Sequence, residues 1–298
     1  MNVSVILCTH NPRADYLARV MEGLQRQTLP RDQWELIVID NASQEPVRSD
    51  LVSWHPRGRV LVERELGLTP ARLRAIRQTT GKLLVFVDDD AVLAPDYLEQ
   101  ALAINREHPQ MGAFGGNIAL EPEVAVPACY KHQRAILAER TVIRDKWGCL
   151  YLNEITPCGV GLVVQRRVAA RYLESLTTTA RALGRRGDSL TSGEDNDLAY
   201  TACDLGLAMG MFARLRLTHL IPKERLTEEY MLRLIEAMSY SSCLLGAMRG
   251  SVDEDNQIPP LTVRLLNEVL RGRFSWKVAW AKWRGLRRAA RELRAGRG

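Results

Sequence analysis

The run Phe86-Val87-Asp88-Asp89-Asp90 sets three carboxylates at the end of a continuous apolar stretch. Carboxylates at positions i and i+2, just past a buried strand, can hold a hard divalent cation through oxygen ligands. Mg²⁺ or Mn²⁺ held this way bridges to a substrate diphosphate. An acidic turn that caps a helix or faces water has the same composition. What favours chemistry is the position of the cluster on the same sheet edge as Asp40. The second group is Ser192-Gly193-Glu194-Asp195-Asn196-Asp197. Ser192 and Asp195 have capping-box spacing, and acids suit the positive end of a helix. A carboxylate held there beside a cleft can also act as a general base, ionised until the attacking hydroxyl gives up its proton. Gly67 to Arg72 puts an arginine in the first turn of a helix, where a guanidinium can meet phosphate oxygens or stay solvated. His219, in Thr218-His219-Leu220-Ile221-Pro222-Lys223, offers an imidazole that can complete a metal site or simply pack.

Alternating strands and helices must position these groups. Val3 to Cys8, Leu36 to Ile39, Val60 to Val62 and Leu83 to Val87 are apolar runs of the kind buried on both faces of a parallel sheet. Leu17, Val20, Met21 and Leu24 recur at helical spacing. Thr69 and Pro70 read as an N-cap and first helical position, with the helix reaching about Thr79 and Gly81 stopping it. This βαβαβ order predicts a doubly wound, mostly parallel sheet flanked by helices, binding its ligand beyond the carboxyl ends of the strands. Thr9 to Asn11, Asp40 with Asn41, and the Asp88 cluster all fall at that edge. Pro95 and Asp96 open a helix to about Glu107, and Gly115-Gly116 read as a turn. Residues 120–155 show no period, and Thr156 to Val164 ends in a strand-like run. Ser192 to Leu205 reads as a helix stopped by Gly206, and a further helix runs from about Pro222 to Gly250.

Thr9-His10-Asn11-Pro12, Val38-Ile39-Asp40-Asn41-Ala42-Ser43, Gly67 with Ala71-Arg72, Asp88 to Asp90, Gly193-Glu194-Asp195 and His219-Leu220-Ile221-Pro222-Lys223 occur in this order. Together they resemble a family 2 glycosyltransferase of the GT-A fold, over about residues 3–240. The resemblance implies an inverting, metal-dependent transfer from a nucleotide-diphosphate sugar to a hydroxyl of a glycan or lipid-linked acceptor, in cell-surface polysaccharide or glycolipid synthesis. In it Thr9, Asn11 and Asp40 hold the base, Asp40 accepting from an imide N–H of uracil, thymine or guanine. The donor is then a UDP, dTDP or GDP sugar. Asp88 lies by the ribose, Asp89 joins the donor-binding set, and Arg72 meets the diphosphate. Asp90 and His219 are the protein groups toward Mn²⁺ or Mg²⁺. Asp195 deprotonates the acceptor, with Glu194 on the acceptor side. The family often has Asn-x-Gly and Ala-Arg-Asn where this chain has Glu65-Leu66-Gly67 and Ala71-Arg72-Leu73, a departure in the donor-side loop that bears on which sugar is carried more than on activity.

On this reading residues 1–225 form the GT-A domain, with a nucleotide-sugar half over 1–110 and an acceptor half over 111–225, and 226–298 form a helical C-terminal extension. The 298 residues, 46% hydrophobic and 26% charged, exclude a disordered or fibrous chain. Six cysteines without a CxxC pair point to reduced thiols in a cytoplasmic protein, not a disulfide frame or zinc site. Met1 to Cys8 does not read as a signal peptide.

Residues 271–298 hold ten Lys or Arg against one acid, a net +9 that leaves −3 on the rest of the chain. Trp276, Trp280, Trp283, Leu286, Ala290 and Leu293 recur there every three or four residues among Lys277, Lys282, Arg284, Arg288 and Arg291. That pattern suits a helix lying on an anionic membrane, peripheral on its inner face. It equally suits a helix docked on the body with its tryptophans in the core. Nucleic acid is not an expected partner, since no recognition motif accompanies the charge. Two alternatives share the fold. A sugar nucleotidyltransferase would carry a glycine-rich loop after the first strand, which Thr9-His10-Asn11-Pro12-Arg13 is not. A non-catalytic nucleotide-binding or membrane scaffold would have no reason to keep Asp88, Asp90, Arg72 and Asp195.

Overall fold

The structure, a computed structural model, describes residues 1–152, 154–179, 184, 185, 187, 189–250 and 273–295. Four strands form its parallel part: β1 (Val3–Thr9), β2 (Trp34–Asn41), β3 (Gly58–Glu63) and β4 (Leu83–Asp88), in the order β3-β2-β1-β4. Val5, Ile6, Leu36, Ile37, Leu84 and Val85 are fully buried, as expected where helices cover both faces. Helix α1 (Ala14–Gln25) buries Leu17, Val20, Met21 and Leu24, and α2 (Leu68–Gln78) buries Ala71, Arg72, Ala75 and Ile76. Because the chain leaves β1 toward β2 and β3 and returns on the other side to β4, the order reverses at β1. The carboxyl ends beside it form the crevice where such sheets bind ligands. Thr9 pairs with Asp40 and Cys8 with Asp88 in register, so the polar ends fall on one line.

The remaining strands are β5 (Ala91–Leu93), β6 (Met111–Pro122), β7 (Lys146–Gly148), β8 (Val163–Gln165) and β9 (Ala208–Ile221). The sheet continues from β4 as β8-β6-β9-β5, with β7 also on β9. The β4–β8, β6–β8, β5–β9 and β7–β9 pairings are antiparallel. The remaining helices are α3 (Tyr97–Glu107), α4 (Arg166–Thr179), α5 (Glu194–Asp204), α6 (Glu228–Met248) and α7 (Arg273–Ala295).

Several expectations need correcting. The cap of α2 is Gly67, at φ 142°, and the helix starts at Leu68. Pro70 therefore falls third in the first turn, where a missing N–H costs no helical hydrogen bond. Gly115 and Gly116 are not a turn but lie inside β6. A side chain at Gly116 would collide with the Leu215 carbonyl of β9, so the two backbones pass too closely for any other residue. The prolines of the polar break, Pro259 and Pro260, lie outside the described residues.

Two compact units emerge. The first comprises Met1–Glu121, Leu137–Ala182 and Asp195–Ile221, and holds the sheet. The second comprises Pro122–Ile136, Leu183–Glu194 and Pro222–Gly298. Within it α6 and α7 run parallel: Lys277 pairs with Glu228, Arg284 with Glu236 at 2.6 Å, and the Tyr240 hydroxyl donates to Glu292 at 2.5 Å. Val278, Ala281 and Ala289 of α7 pack against Ile235, Tyr240 and Cys243 of α6. The basic helix is thus docked, through Val278 and alanines with Leu286 and Leu293 beside them; its tryptophans belong to neither cluster.

In the first unit His55 lies against the Trp34 ring, centroids 4.1 Å apart. Burial, aided by Arg31 and Arg57, pushes its pKa down to about 4 from 6.5. The unfolded chain takes up that proton first, so the contribution is complete above pH 6.5 and declines as pH falls toward 4. Urea midpoints measured across that window should fall with pH, and His55→Gln should flatten the decline.

Candidate active site

The ends of β1 and β2 are laced together. The His10 Nδ1–H donates to the Asn41 carbonyl at 2.8 Å, the Asn11 N–H to Ser43 Oγ at 2.9 Å, and the Gln44 N–H to Asn11 Oδ1 at 2.8 Å. Asn11 and Ala42 take φ values of 49° and 53°, turning both strands sharply at this edge. Asp40 is 2% exposed, and its two oxygens accept from the Ser43 N–H at 3.1 Å and the Val47 N–H at 3.0 Å. Besides any contact with a base, Asp40 therefore shapes the loop over 43–47.

Asn41 does the same for the next loop. Its Nδ2 donates to the carbonyls of Glu63 and Glu65, at 3.2 and 2.7 Å, and its Oδ1 accepts from the Gly67 N–H at 2.8 Å. This fixes the start of α2 and hence Arg72, one turn inside. Arg72 is 4% exposed; its Nη2 lies 3.8 Å from Asp88 Oδ1 and its guanidinium 5.5 Å from the Phe86 ring. Thr9 Oγ1 donates to Asp89. Asp88 and Asp89 are half-buried, and Asp90 is buried.

Asp195 is brought to this edge by a long-range contact. Its Oδ2 accepts from the Gly159 N–H at 2.7 Å. A Cβ at Gly159 would lie 2.7 Å from that oxygen and 3.0 Å from Arg72 Nη2, so the glycine is the spacer between carboxylate and guanidinium. The buried Tyr97 hydroxyl holds the same loop by donating to the Gly161 carbonyl at 2.5 Å. Since α5 begins at Glu194, Gly193 precedes it and Ser192 lies outside, so the capping-box reading of Ser192 and Asp195 does not hold. Asp195 keeps its place in the first turn of α5, where the dipole favours its charge. Glu194 opens the helix and is 4% exposed.

His219 is placed by strand pairing. Ala91 of β5 lies opposite His219 of β9, which brings the preceding Asp90 alongside. The Leu137 carbonyl can only accept, so His219 Nδ1 carries the proton at 2.9 Å. The Nε2 lone pair then faces Asp90 Oδ1 at 3.4 Å. An imidazole nitrogen and a carboxylate oxygen this close can share a cation. Among the described residues no group of three or more His, Cys, Asp or Glu forms a metal cage. Two ligands suffice, however, for Mg²⁺ or a similar ion that keeps waters and takes its other oxygens from phosphates. The pair fits that role. Burial pushes the Cys8 thiol up to about 12 and the Cys158 thiol up to about 11, so both stay protonated beside the acids.

Thr9, Asn11, Asp40, Arg72, the Asp88 cluster, Asp195 and His219 all belong to the first unit. Tyr97 and Gly159 are positioning residues that sequence reasoning did not single out, because their partners are too distant in sequence. Asn41 was placed at this edge beside Asp40, but its positioning role shows only in its hydrogen bonds.

The sequence model of the family described as Glycosyl transferase family 2 matches residues 4–146. A validoxylamine A glucosyltransferase of Streptomyces hygroscopicus is 31% identical over 105 residues, covering 34% of this chain and 25% of the relative. The chain spans only about a quarter to a third of the length of the curated relatives it matches. Among solved structures, the mannosyltransferase PcManGT from Pyrobaculum calidifontis, in complex with GDP-Man and Mn²⁺, superposes with a TM-score of 0.58 at 20% identity. The match covers 100% of this chain and 76% of that one. S. aureus TarS 1-349 in complex with UDP-GlcNAc gives 0.51 at 15% identity, over 99% and 92% of the two chains. These likenesses establish the fold as that of a GT-A glycosyltransferase.

Replacing Gly159 forces Asp195 and Arg72 apart. Gly159→Ala should cost about 1–3 kcal/mol of stability, seen as a lower urea midpoint. It should also open Cys158 to alkylation at mildly alkaline pH. In the wild type the exposed Cys149 should label first.

Proposed function

We propose, for a chain whose residues 4–146 match the glycosyl transferase family 2 model, an inverting transfer of a sugar from a nucleotide-diphosphate donor to an acceptor hydroxyl. The observation that carries this reading is the seat of Asp195: a half-buried carboxylate fixed at 2.7 Å to the Gly159 N–H, with Arg72 Nη2 closing on the same face of that glycine. General base and diphosphate partner thus meet at one glycine, where a sugar would change hands.

In this mechanism Thr9, Asn11 and the loop organised by Asp40 receive the base, and Asp88 with Asp89 the ribose side. Asp195 takes the proton of the acceptor hydroxyl as its oxygen attacks the anomeric carbon. The bond from that carbon to the diphosphate breaks on the opposite face, and Arg72 meets the charge left on the phosphate oxygens. One displacement assisted by one base inverts the anomeric centre. Mn²⁺ or Mg²⁺ held by Asp90 and His219 would supply further stabilisation of the leaving diphosphate.

Residues 1–225 act as the transferase domain, 1–110 toward the donor and 111–225 toward the acceptor, with 226–298 appended. The donor is a UDP, dTDP or GDP sugar. The solved relatives include one bound to GDP-Man and one to UDP-GlcNAc, which supports the nucleotide-sugar class without selecting a base. The acceptor is a glycan or lipid-linked hydroxyl in surface polysaccharide or glycolipid synthesis, approached from the cytoplasmic face of the membrane, where the basic helix would meet anionic lipid.

Calorimetric titration of the full chain with UDP, GDP and dTDP, with and without Mn²⁺, tests the donor site. One nucleotide should bind, and more weakly without metal; no binding by folded protein would overturn the assignment. Asp195→Asn should lower turnover by about 10²–10⁴-fold while leaving that titration unchanged.

A further inference from the structure

Helix α7 has two faces with different tasks. The inner one is built from Val278 and alanines, with Leu286 and Leu293 beside them. A side chain at Gly285 would collide with the Glu236 carbonyl of α6, so the helices touch backbone to backbone there. Counting about 100° per residue, Trp276, Trp280 and Trp283 fall between about 140° and 180° around the helix from Gly285. The tryptophans therefore occupy the side turned away from α6. Their rings form a ladder: Trp276 and Trp280 stack at 6.2 Å with 9° between planes, and Trp280 and Trp283 at 4.9 Å with 25°. The Arg287 guanidinium closes it, 4.6 Å over Trp283. Trp276 is 43% exposed, and Trp280 and Trp283 are half-buried.

Charge sorts along the same helix. Lys277 and Arg284 reach back to acids of α6, whereas Lys282, Arg287, Arg291 and Arg294 are exposed. The outer surface is thus a strip of indole bordered by cations, on a chain whose remaining 270 residues are net negative. A second copy of this surface would bring like charges together. A flat anionic surface that accepts indoles at its polar boundary meets both features at once. No helix among the described residues is long and apolar enough to cross a bilayer, so the contact is one of lying on the surface.

We propose that the Trp276–Trp280–Trp283 face of α7 is a docking surface for an anionic lipid bilayer, held ready by the inner face that seats the helix on α6. It deepens the reading of the basic extension as the membrane-facing part of the protein and rests on it, but not on the transfer chemistry.

The test uses the full chain and vesicles of phosphatidylcholine, either pure or containing a quarter phosphatidylglycerol. Co-sedimentation should occur with the anionic vesicles, weaken in high salt and be slight with the neutral ones. Trp276→Ala/Trp280→Ala/Trp283→Ala and Arg287→Gln/Arg291→Gln/Arg294→Gln should each lower partitioning about tenfold or more. Thermal midpoint and nucleotide titration should not change in either. Should the tryptophan variant lose its fold, lipids brominated near the carbonyl must quench wild-type tryptophan fluorescence. Absence of quenching, equal binding by either folded variant, concentration-dependent dimers abolished by the tryptophan substitutions, or stronger capture by duplex RNA than by vesicles would each overturn the proposal. Nucleotide binding without vesicle binding would sink this surface alone, and the reverse would sink the transferase reading alone.

Discussion

Everything at the site depends on the in-register parallel pairing of β1 with β2 and β4. These strands are buried on both faces, so they can carry almost no polar side chains along their length. Polar groups collect where the pairing stops. Because Thr9 stands opposite Asp40 and Cys8 opposite Asp88, the three strands stop together. A slip in register would carry one acid into the core and another out of reach. The antiparallel half then adds the missing partners, β9 delivering His219 to Asp90 and the loop before β8 delivering Gly159 to Asp195.

The two acids of β2 show how position divides stability from function. Glu35, near the start of the strand, accepts from Ser4 Oγ at 2.7 Å, the Thr80 N–H at 2.7 Å, Thr80 Oγ1 and Arg59. Burial raises its pKa, but these donors outweigh burial and hold it below the ordinary carboxylate range. Glu35 ties the lower ends of β1, β2 and the turn before β4 into one knot. Asp40, five residues on, faces the crevice edge and spends its oxygens on a loop. A similar carboxylate on the same strand serves the scaffold at one end and the site at the other.

The parallel half was legible because continuous apolar runs have few other uses. Residues 206–221 were harder. Arg214-Leu215-Arg216-Leu217-Thr218 does alternate as a half-buried strand should, but β9 also carries Gly210 and begins in a fully buried stretch, which masks the period. Gly115-Gly116 looked like punctuation because the close approach of β9 is a long-range fact. Asp195 stood out for a local pattern that does not hold, since its hydrogen bond runs not to its own helix but to Gly159. In α7 the alanines and aliphatic residues, not the large aromatic ones, make the contact. Spacing put the tryptophans on one stripe with Leu286 and Leu293, yet only the two leucines pack against the cluster shared with α6.

The lacing by Asn41 has a consequence for how this site can change. Its amide grips the main chain of the 63–67 loop through two carbonyls and one N–H, and asks nothing of the side chains there. Arg64 and Glu65 are exposed. Substitutions at these positions can therefore alter what meets an incoming donor while the loop path, the start of α2 and the aim of Arg72 stay as they are. The part of the site that departs most from the pattern it resembles is the part where exchange is structurally cheapest. If the chain works as proposed, new donor preferences can be sampled there one residue at a time, with the frame around Arg72 inherited intact.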